Sequence, residues 1–107
     1  MNNEDKQAAI KAISNETRFK ILCWLREPET NFGAQVMHAE FPSGVCVGSI
    51  QEKSGLTQSV ISSYLTSMQK AGLLESRRFG QWTYYRRNEK GIDSLLNELN
   101  ANLKGKD

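Results

Sequence analysis

Apolar residues recur every three to four positions along most of this chain, and the pattern changes to strand character in one segment only. Residues 3 to 13 place Ala9, Ile10 and Ile13 on one side of a helix. Residues 15 to about 27 follow with Arg18, Ile21, Leu22 and Leu25 at helical spacing, Ser14 suited to cap the start and Pro28 to end the run. Residues 28 to 44 hold two prolines and two glycines and no period, so they read as a long loop with at most one irregular turn. Compact domains seldom carry a connection of that length without a use for it.

Structure resumes at Val45, Cys46 and Val47, a very short apolar strand. Ser49 and Glu52 have capping-box spacing and open a brief helix over 49 to 54, which Gly55 breaks. Thr57 caps a longer helix reaching about residue 70, closed by Gly72. From 73 to 87 the sequence turns to Leu-Leu-Glu-Ser-Arg-Arg-Phe, a Gly80-Gln81 turn, then Trp-Thr-Tyr-Tyr-Arg-Arg, the aromatic and β-branched content of a hairpin. A last helix over 91 to about 103 carries the stripe Ile92, Leu95, Leu96, Leu99 and Leu103.

Size and charge narrow what such a domain does. A chain of 107 residues is one domain, and at this size it hides only about 60–65% of its unfolded surface, so a second copy would add burial that the monomer lacks. Cys23 and Cys46 lie far apart in a chain whose polar start offers no leader, which predicts free thiols in the cytoplasm rather than a disulfide frame. No stretch approaches the roughly 18 apolar residues of a membrane span. The net charge of +2 divides unevenly: residues 53 to 90 carry +5 and the remainder −3. Positive charge gathered in one block is what a nucleic-acid surface requires. With one histidine, His38, and no nucleophile–base pairing, the chain is not expected to be an enzyme or to hold a cofactor.

Two short helices joined by a glycine-containing turn and followed by a basic hairpin describe a winged helix–turn–helix. The fold expected is mainly α with a two-stranded β wing (α+β), in a single domain over 1–107. The helix–turn–helix lies at about 48–71 and the wing at about 73–87. In the second helix of the pair Ile61, Leu65 and Met68 share the core side, while Ser59, Ser62, Ser63 and Thr66 lie opposite. No charge occurs between Gln58 and Gln69. A helix entering the major groove needs such a face: low bulk, hydroxyls, and no carboxylate towards the phosphates. Gln58, Ser59, Ser62 and Ser63 are the candidate base contacts, and Thr57, Tyr64, Arg77, Arg78 and Gln81 the candidate phosphate contacts. Trp82, Tyr84 and Tyr85 are expected to build the apolar side of the hairpin. The competing class is a winged-helix module that binds protein and has an incidental basic hairpin.

At this point a family resemblance emerges. Ile13-Ser-Asn-Glu-Thr-Arg-Phe-Lys-Ile-Leu22, Val45-Cys-Val-Gly-Ser-Ile50, Gly55-Leu-Thr-Gln-Ser-Val-Ile-Ser-Ser-Tyr-Leu65, Ala71-Gly-Leu-Leu74 and Gly80-Gln-Trp-Thr-Tyr-Tyr85 together resemble the successive signatures of the ArsR/SmtB repressors. The resemblance runs from about residue 5 to 103. It implies a homodimer joined by the terminal helices (about 3–13 and 91–103), bound to a palindromic operator and released by a small-molecule inducer or by thiol chemistry. The leucine stripe of the last helix, larger than a small monomer needs to bury, agrees independently. Where metal-sensing members carry Cys-Val-Cys, this chain has Cys46-Val-Gly48, and one thiolate does not hold a soft metal. Asp93, Glu98 and Asp107 come without a histidine in the last helix, so no metal site is expected there either. A site joining His38, Cys23 and Cys46 would need three unlinked segments to meet. Cys23 stands where thiol-sensing members keep one cysteine, and Cys46 is the only residue available to pair with it; the alternative is that both are small buried hydrophobes. Phe32, Val36, Met37 and Phe41 leave the long loop either lining an inducer pocket or padding the dimer surface.

Overall fold

The computed structural model describes residues 1–35 and 38–105. The elements run α1 (Asn3–Ile13), α2 (Glu16–Arg26), α3 (Pro28–Phe32), β1 (Val45–Cys46), α4 (Val47–Ser54), α5 (Gln58–Lys70), β2 (Leu74–Phe79), β3 (Trp82–Arg87) and α6 (Glu89–Leu103). The fold is a winged helix–turn–helix. Its core joins Ile21 and Leu25 of α2, Val45 of β1, Ile50 of α4, Ile61, Leu65 and Met68 of α5, Leu73 of the turn after α5, and Leu95 of α6. Val36, Met37 and Asp107 lie outside the described residues.

Several boundaries move for identifiable reasons. Ser14 does not cap α2. It closes α1, and Asn15 caps α2 instead, its Oδ1 accepting from the Arg18 N–H at 3.0 Å. Pro28 does more than end α2: it occupies the first turn of a five-residue helix, α3, where its missing N–H costs nothing. The expected loop is therefore helical at its start. The capping box at Ser49 is absent, because α4 begins two residues earlier, straight out of β1, with Cys46 as an extended N-cap that makes no side-chain cap bond. Val47 accordingly belongs to α4 and not to the strand. The last helix starts at Glu89, capped by Asn88.

The α5 boundaries are as expected. Thr57 Oγ1 accepts from the Val60 N–H at 3.4 Å. At the other end Leu73 N–H donates to the Met68 carbonyl and Gly72 N–H to that of Gln69, both at 3.0 Å, around Gly72 at φ +81°. This is the Schellman closure that a glycine at that position permits. Gly55, left-handed at φ +72°, turns α4 into α5.

The expected two-stranded wing is present, and the expected short strand joins it, giving a three-stranded sheet in the order β1-β3-β2, antiparallel throughout. Val45 pairs with Tyr85 and Cys46 with Tyr84, which makes β3 the central strand. The register sorts the wing residues onto two faces. Leu74, Ser76, Arg78, Thr83, Tyr85 and Arg87 share the face towards α5. Glu75, Arg77, Phe79, Trp82, Tyr84 and Arg86 share the other.

That second face is not open. The 38–42 segment lies over it: the His38 ring stacks on Phe79 at 3.8 Å and 3° and meets Tyr84 edge-on at 4.9 Å. Arg77 Nη1 donates to the Glu40 carbonyl, and Arg86 Nη1 to that of Pro42, at 3.3 and 3.2 Å. Phe41 is buried beneath both guanidiniums, 4.1 Å from Arg86 and 5.9 Å from Arg77. The 38–42 part of the long connection thus pads the back of the wing, which is neither of the two uses expected for it.

Candidate nucleic-acid interface

The α5 helix presents three stripes. Ile61, Leu65 and Met68 are fully buried. Ser59, Ser63, Ser67 and Lys70 are exposed along the outer side. Between them runs the flank nearest the wing, where Gln58 Nε2 donates to Ser62 Oγ at 3.1 Å and Ser76 Oγ of β2 donates to Gln69 Oε1 at 2.9 Å. Thr66 is exposed on the polar side as expected, and its side chain also reaches the Tyr85 hydroxyl of the wing. The N-terminal half of the helix is open: Thr57, Gln58, Ser59 and Ser63 exposed, Ser62 half-exposed.

Tyr64 is half-buried, packed against the core with the Arg18 guanidinium 5.0 Å from its ring centre. Arg18 in turn donates to the Ala12 and Lys11 carbonyls at 2.6 and 3.3 Å, closing the end of α1. Tyr64 is therefore first a structural link between α5 and the N-terminal helices.

The four arginines of the hairpin divide by strand face. Arg87 is held bidentately by Glu89, at 2.9 and 3.1 Å, and donates to the Leu22 carbonyl at 3.2 Å. Arg86 pairs with Glu75 at 2.9 Å. Arg77 faces the 38–42 segment and lies 3.9 Å from the Glu40 carboxylate. Arg78 is on the α5 side and exposed, its Nε donating to the Gly80 carbonyl at 3.0 Å, which holds the guanidinium at the tip beside exposed Gln81. Trp82 is not part of the apolar side. It stands 54% exposed at the tip, while Tyr84 and Tyr85 are buried on opposite faces. Neither hydrophobicity nor spacing distinguished it from the two tyrosines. Its place as the first residue after the turn is the signal that did.

Cys23 is exposed on α2 and Cys46 half-buried at the start of α4, both as free thiols, so the expectation that both are buried fails for Cys23. Cys46 takes its backbone bond from the Gln35 side chain, whose Oε1 accepts its N–H at 3.3 Å. Among the described residues no three of His, Cys, Asp and Glu converge as a metal would need. His38 is occupied in the aromatic stack. No helix among the described residues is long and apolar enough to cross a membrane.

A short first helix, a left-handed glycine turn, an uncharged small-residue recognition helix and a wing with a basic tip define a helix–turn–helix DNA-binding protein. The relatives are consistent with that class. YbzH, an uncharacterized HTH-type transcriptional regulator of Bacillus subtilis, is 42% identical over 93 residues, covering 87% of this chain and 93% of its own. A putative arsenical resistance operon repressor, ArsR2 of Halobacterium salinarum, is 30% identical over 96 residues, 90% of this chain and 68% of its own. The chain belongs to the ArsR family of HTH-type transcriptional regulators. Among solved structures, the winged helix–turn–helix domain of Mb0332 from Mycobacterium bovis superposes with a TM-score of 0.66 at 24% identity, over 92% of this chain and 80% of that one. No family model matches the chain.

Proposed function

We propose that the chain is a cytoplasmic, homodimeric repressor that binds a palindromic double-stranded operator and leaves it when a small-molecule inducer binds or a thiol is modified. The observation that carries the DNA reading is the open half of α5, where Gln58, Ser59, Ser62 and Ser63 present amide and hydroxyl groups without one charge. Gln58 is placed for bidentate contact with adenine, and the serines for close approach to base edges. Thr57, Tyr64, Arg78 and Gln81 take phosphates. Arg77, engaged with Glu40 behind the wing, is assigned to holding the 38–42 segment in place of the phosphate role its sequence position indicated.

The dimer reading rests on the terminal helices. In α6 Leu95 is buried and Ile92 and Leu99 pack on the core, but Leu96 is 56% and Leu103 80% exposed, and α1 adds exposed Ile10. Lys6 Nζ donates to Asn102 Oδ1 at 2.8 Å, so α1 and α6 lie side by side and pool these residues into one surface. The Mycobacterium bovis domain is homodimeric. Two recognition helices related by a twofold axis read half-sites about one helical turn, or a multiple of it, apart.

Selection of binding sites from random duplex DNA tests the proposal, with Ser62→Glu as the control. An enriched palindrome bound by the wild type and lost in Ser62→Glu, with the dimer intact by sedimentation, is the expected result. No enrichment, or equal binding by the variant, overturns it.

A further inference from the structure

At the base of the wing, on the end away from Gln81, a hollow of about 510 Å³ opens between the end of α2, the Pro42–Ser43 turn, the end of β3 and the start of α6. Four cationic side chains line it, Arg26, Arg86, Arg87 and Lys90, against two carboxylates, Glu75 and Glu89. Both carboxylates are already gripped, Glu75 by Arg86 and Glu89 by Arg87 in a two-point fork. Arg26 and Lys90 have no ion-pair partner among the described residues. Four elements therefore converge on a cavity with an excess of two positive charges and two guanidiniums pre-oriented on oxygen acceptors.

We infer that this hollow binds a small, multiply charged oxyanion carrying carboxylate or phosphate groups, and that it is the site through which such a molecule acts on the wing. Planar guanidiniums match two-oxygen groups, and an occupant bearing several of them engages Arg26 and Lys90 while competing with Glu75 and Glu89 for the arginines. The ligand is small because the space is small. The path to the wing is short: Arg86 faces the hollow and also donates to the Pro42 carbonyl and covers Phe41. An anion that draws the Arg86 guanidinium inward loosens the 38–42 segment from the back of the sheet. This second step, action on DNA affinity, rests on the operator-binding reading; the binding site itself does not.

The two parts are tested separately. Citrate and pyrophosphate are titrated into the wild type at ionic strength held constant with NaCl, followed by amide chemical shifts and thermal melting. Saturable shifts at Arg26, Asn88, Glu89 and Lys90 with a rise in Tm are expected for at least one of the anions. The response should vanish in Arg26→Ala/Lys90→Ala and survive in Arg78→Ala. Lys90→Gln alone, which should weaken it severalfold, serves if the double variant does not fold. No saturation with either anion, shifts centred on residues 57–63, or an unchanged response in the pocket variants overturns the site. The selected operator is then titrated with protein in the presence of the active anion, and a severalfold loss of affinity confined to proteins with the intact pocket is expected. Anion binding with unchanged operator affinity overturns the effector role and leaves the site standing, whereas a protein that never binds DNA overturns the operator reading alone.

Discussion

Gly91, in the first turn of α6, lies against the carbonyl of Gly72, so close that a Cβ on Gly91 would occupy the space of that oxygen. Asn88 fixes the approach from both sides. Its Nδ2 donates to the Gly72 carbonyl at 2.9 Å, its N–H to that of Leu73 at 3.0 Å, and its Oδ1 accepts from the Gly91 N–H at 3.3 Å. The closure of α5 and the start of α6 are in this way a single knot. Alanine in a helix ordinarily gains about 1 kcal/mol over glycine, yet overpacking costs about 1–3 kcal/mol, and the obstacle here is backbone. Gly91→Ala should therefore lower stability in urea unfolding at fixed protein concentration, and a more stable variant would refute the close approach.

Arg78 and Arg87 are four strand positions apart in the paired hairpin yet should fail in opposite ways. Arg78→Ala is expected to reduce the salt dependence of operator binding by about one unit of log–log slope, the signature of one lost phosphate contact of roughly 0.9, with stability unchanged. Arg87→Ala removes a guanidinium whose side chain is only 16% exposed and leaves the Leu22 carbonyl without its donor. Loss of a charged hydrogen bond of this kind costs about 1.5–3 kcal/mol, and the salt slope should not move. Binding isotherms at several salt concentrations, with parallel melts, distinguish the two.

Trp82 should contribute to DNA affinity without contributing to its salt dependence. Covering a half-exposed indole against sugar and groove walls is worth about 1–2 kcal/mol, so Trp82→Ala should weaken operator binding roughly tenfold at every salt concentration. The measured slope should match the wild type. An unaltered affinity would place Trp82 outside the interface.

Tyr85 links α5 to the wing and gives stability an alkaline limit. Burial raises its pKa above the ordinary 10.0, and the bond to Thr66 opposes this less strongly. The folded state thus holds the phenolic proton after the unfolded chain has begun to lose it. The associated stability is complete below pH 10 and declines as pH rises through the folded-state value. Tyr85→Phe should cost about 1 kcal/mol at neutral pH from the lost hydrogen bond and flatten the decline above pH 10. If its pH–stability profile parallels that of the wild type in this range, some other group is responsible.

If thiol chemistry releases the repressor, the exposed cysteine is where it begins. Polysulfide or peroxide should weaken operator binding in the wild type and leave Cys23→Ser unaffected. Identical responses in both proteins would eliminate the thiol arm and leave the small-molecule arm.

The helices that face the core on one side were legible in the sequence, because burial imposes the period that reveals them: Ile61, Leu65 and Met68 fixed the orientation of α5, and Thr57 and Gly72 its ends. The α3 helix was invisible because its five residues bury nothing completely and carry no period. The cover over the wing was invisible for a different reason. His38 and Phe79 meet through the tertiary fold, and neither has a local signature of the other. The unequal fates of Arg77, Arg78, Arg86 and Arg87 follow from strand alternation, but alternation tells which pairs share a face and not which face is already covered. Residue type points Trp82 to packing, but at the tip, opposite Phe79, it stays half-exposed.

Strand β3 is held from several sides: β2 along one edge and β1 beside Tyr84 and Tyr85 on the other, α2 and α4 in contact with it, and His38 of the 38–42 segment against Tyr84. The hairpin is thus fixed at its base from both edges. Mechanically it is a stiff arm, and its root is the bond from Asn88 to Leu73 that ties both strands to the start of α6. A small rotation of the terminal helix would then be delivered at the tip as a displacement multiplied by the arm's length, about 20 Å for six extended residues. In such a lever the moving part needs no softness of its own, and what sets its stroke is the angle at which α6 sits.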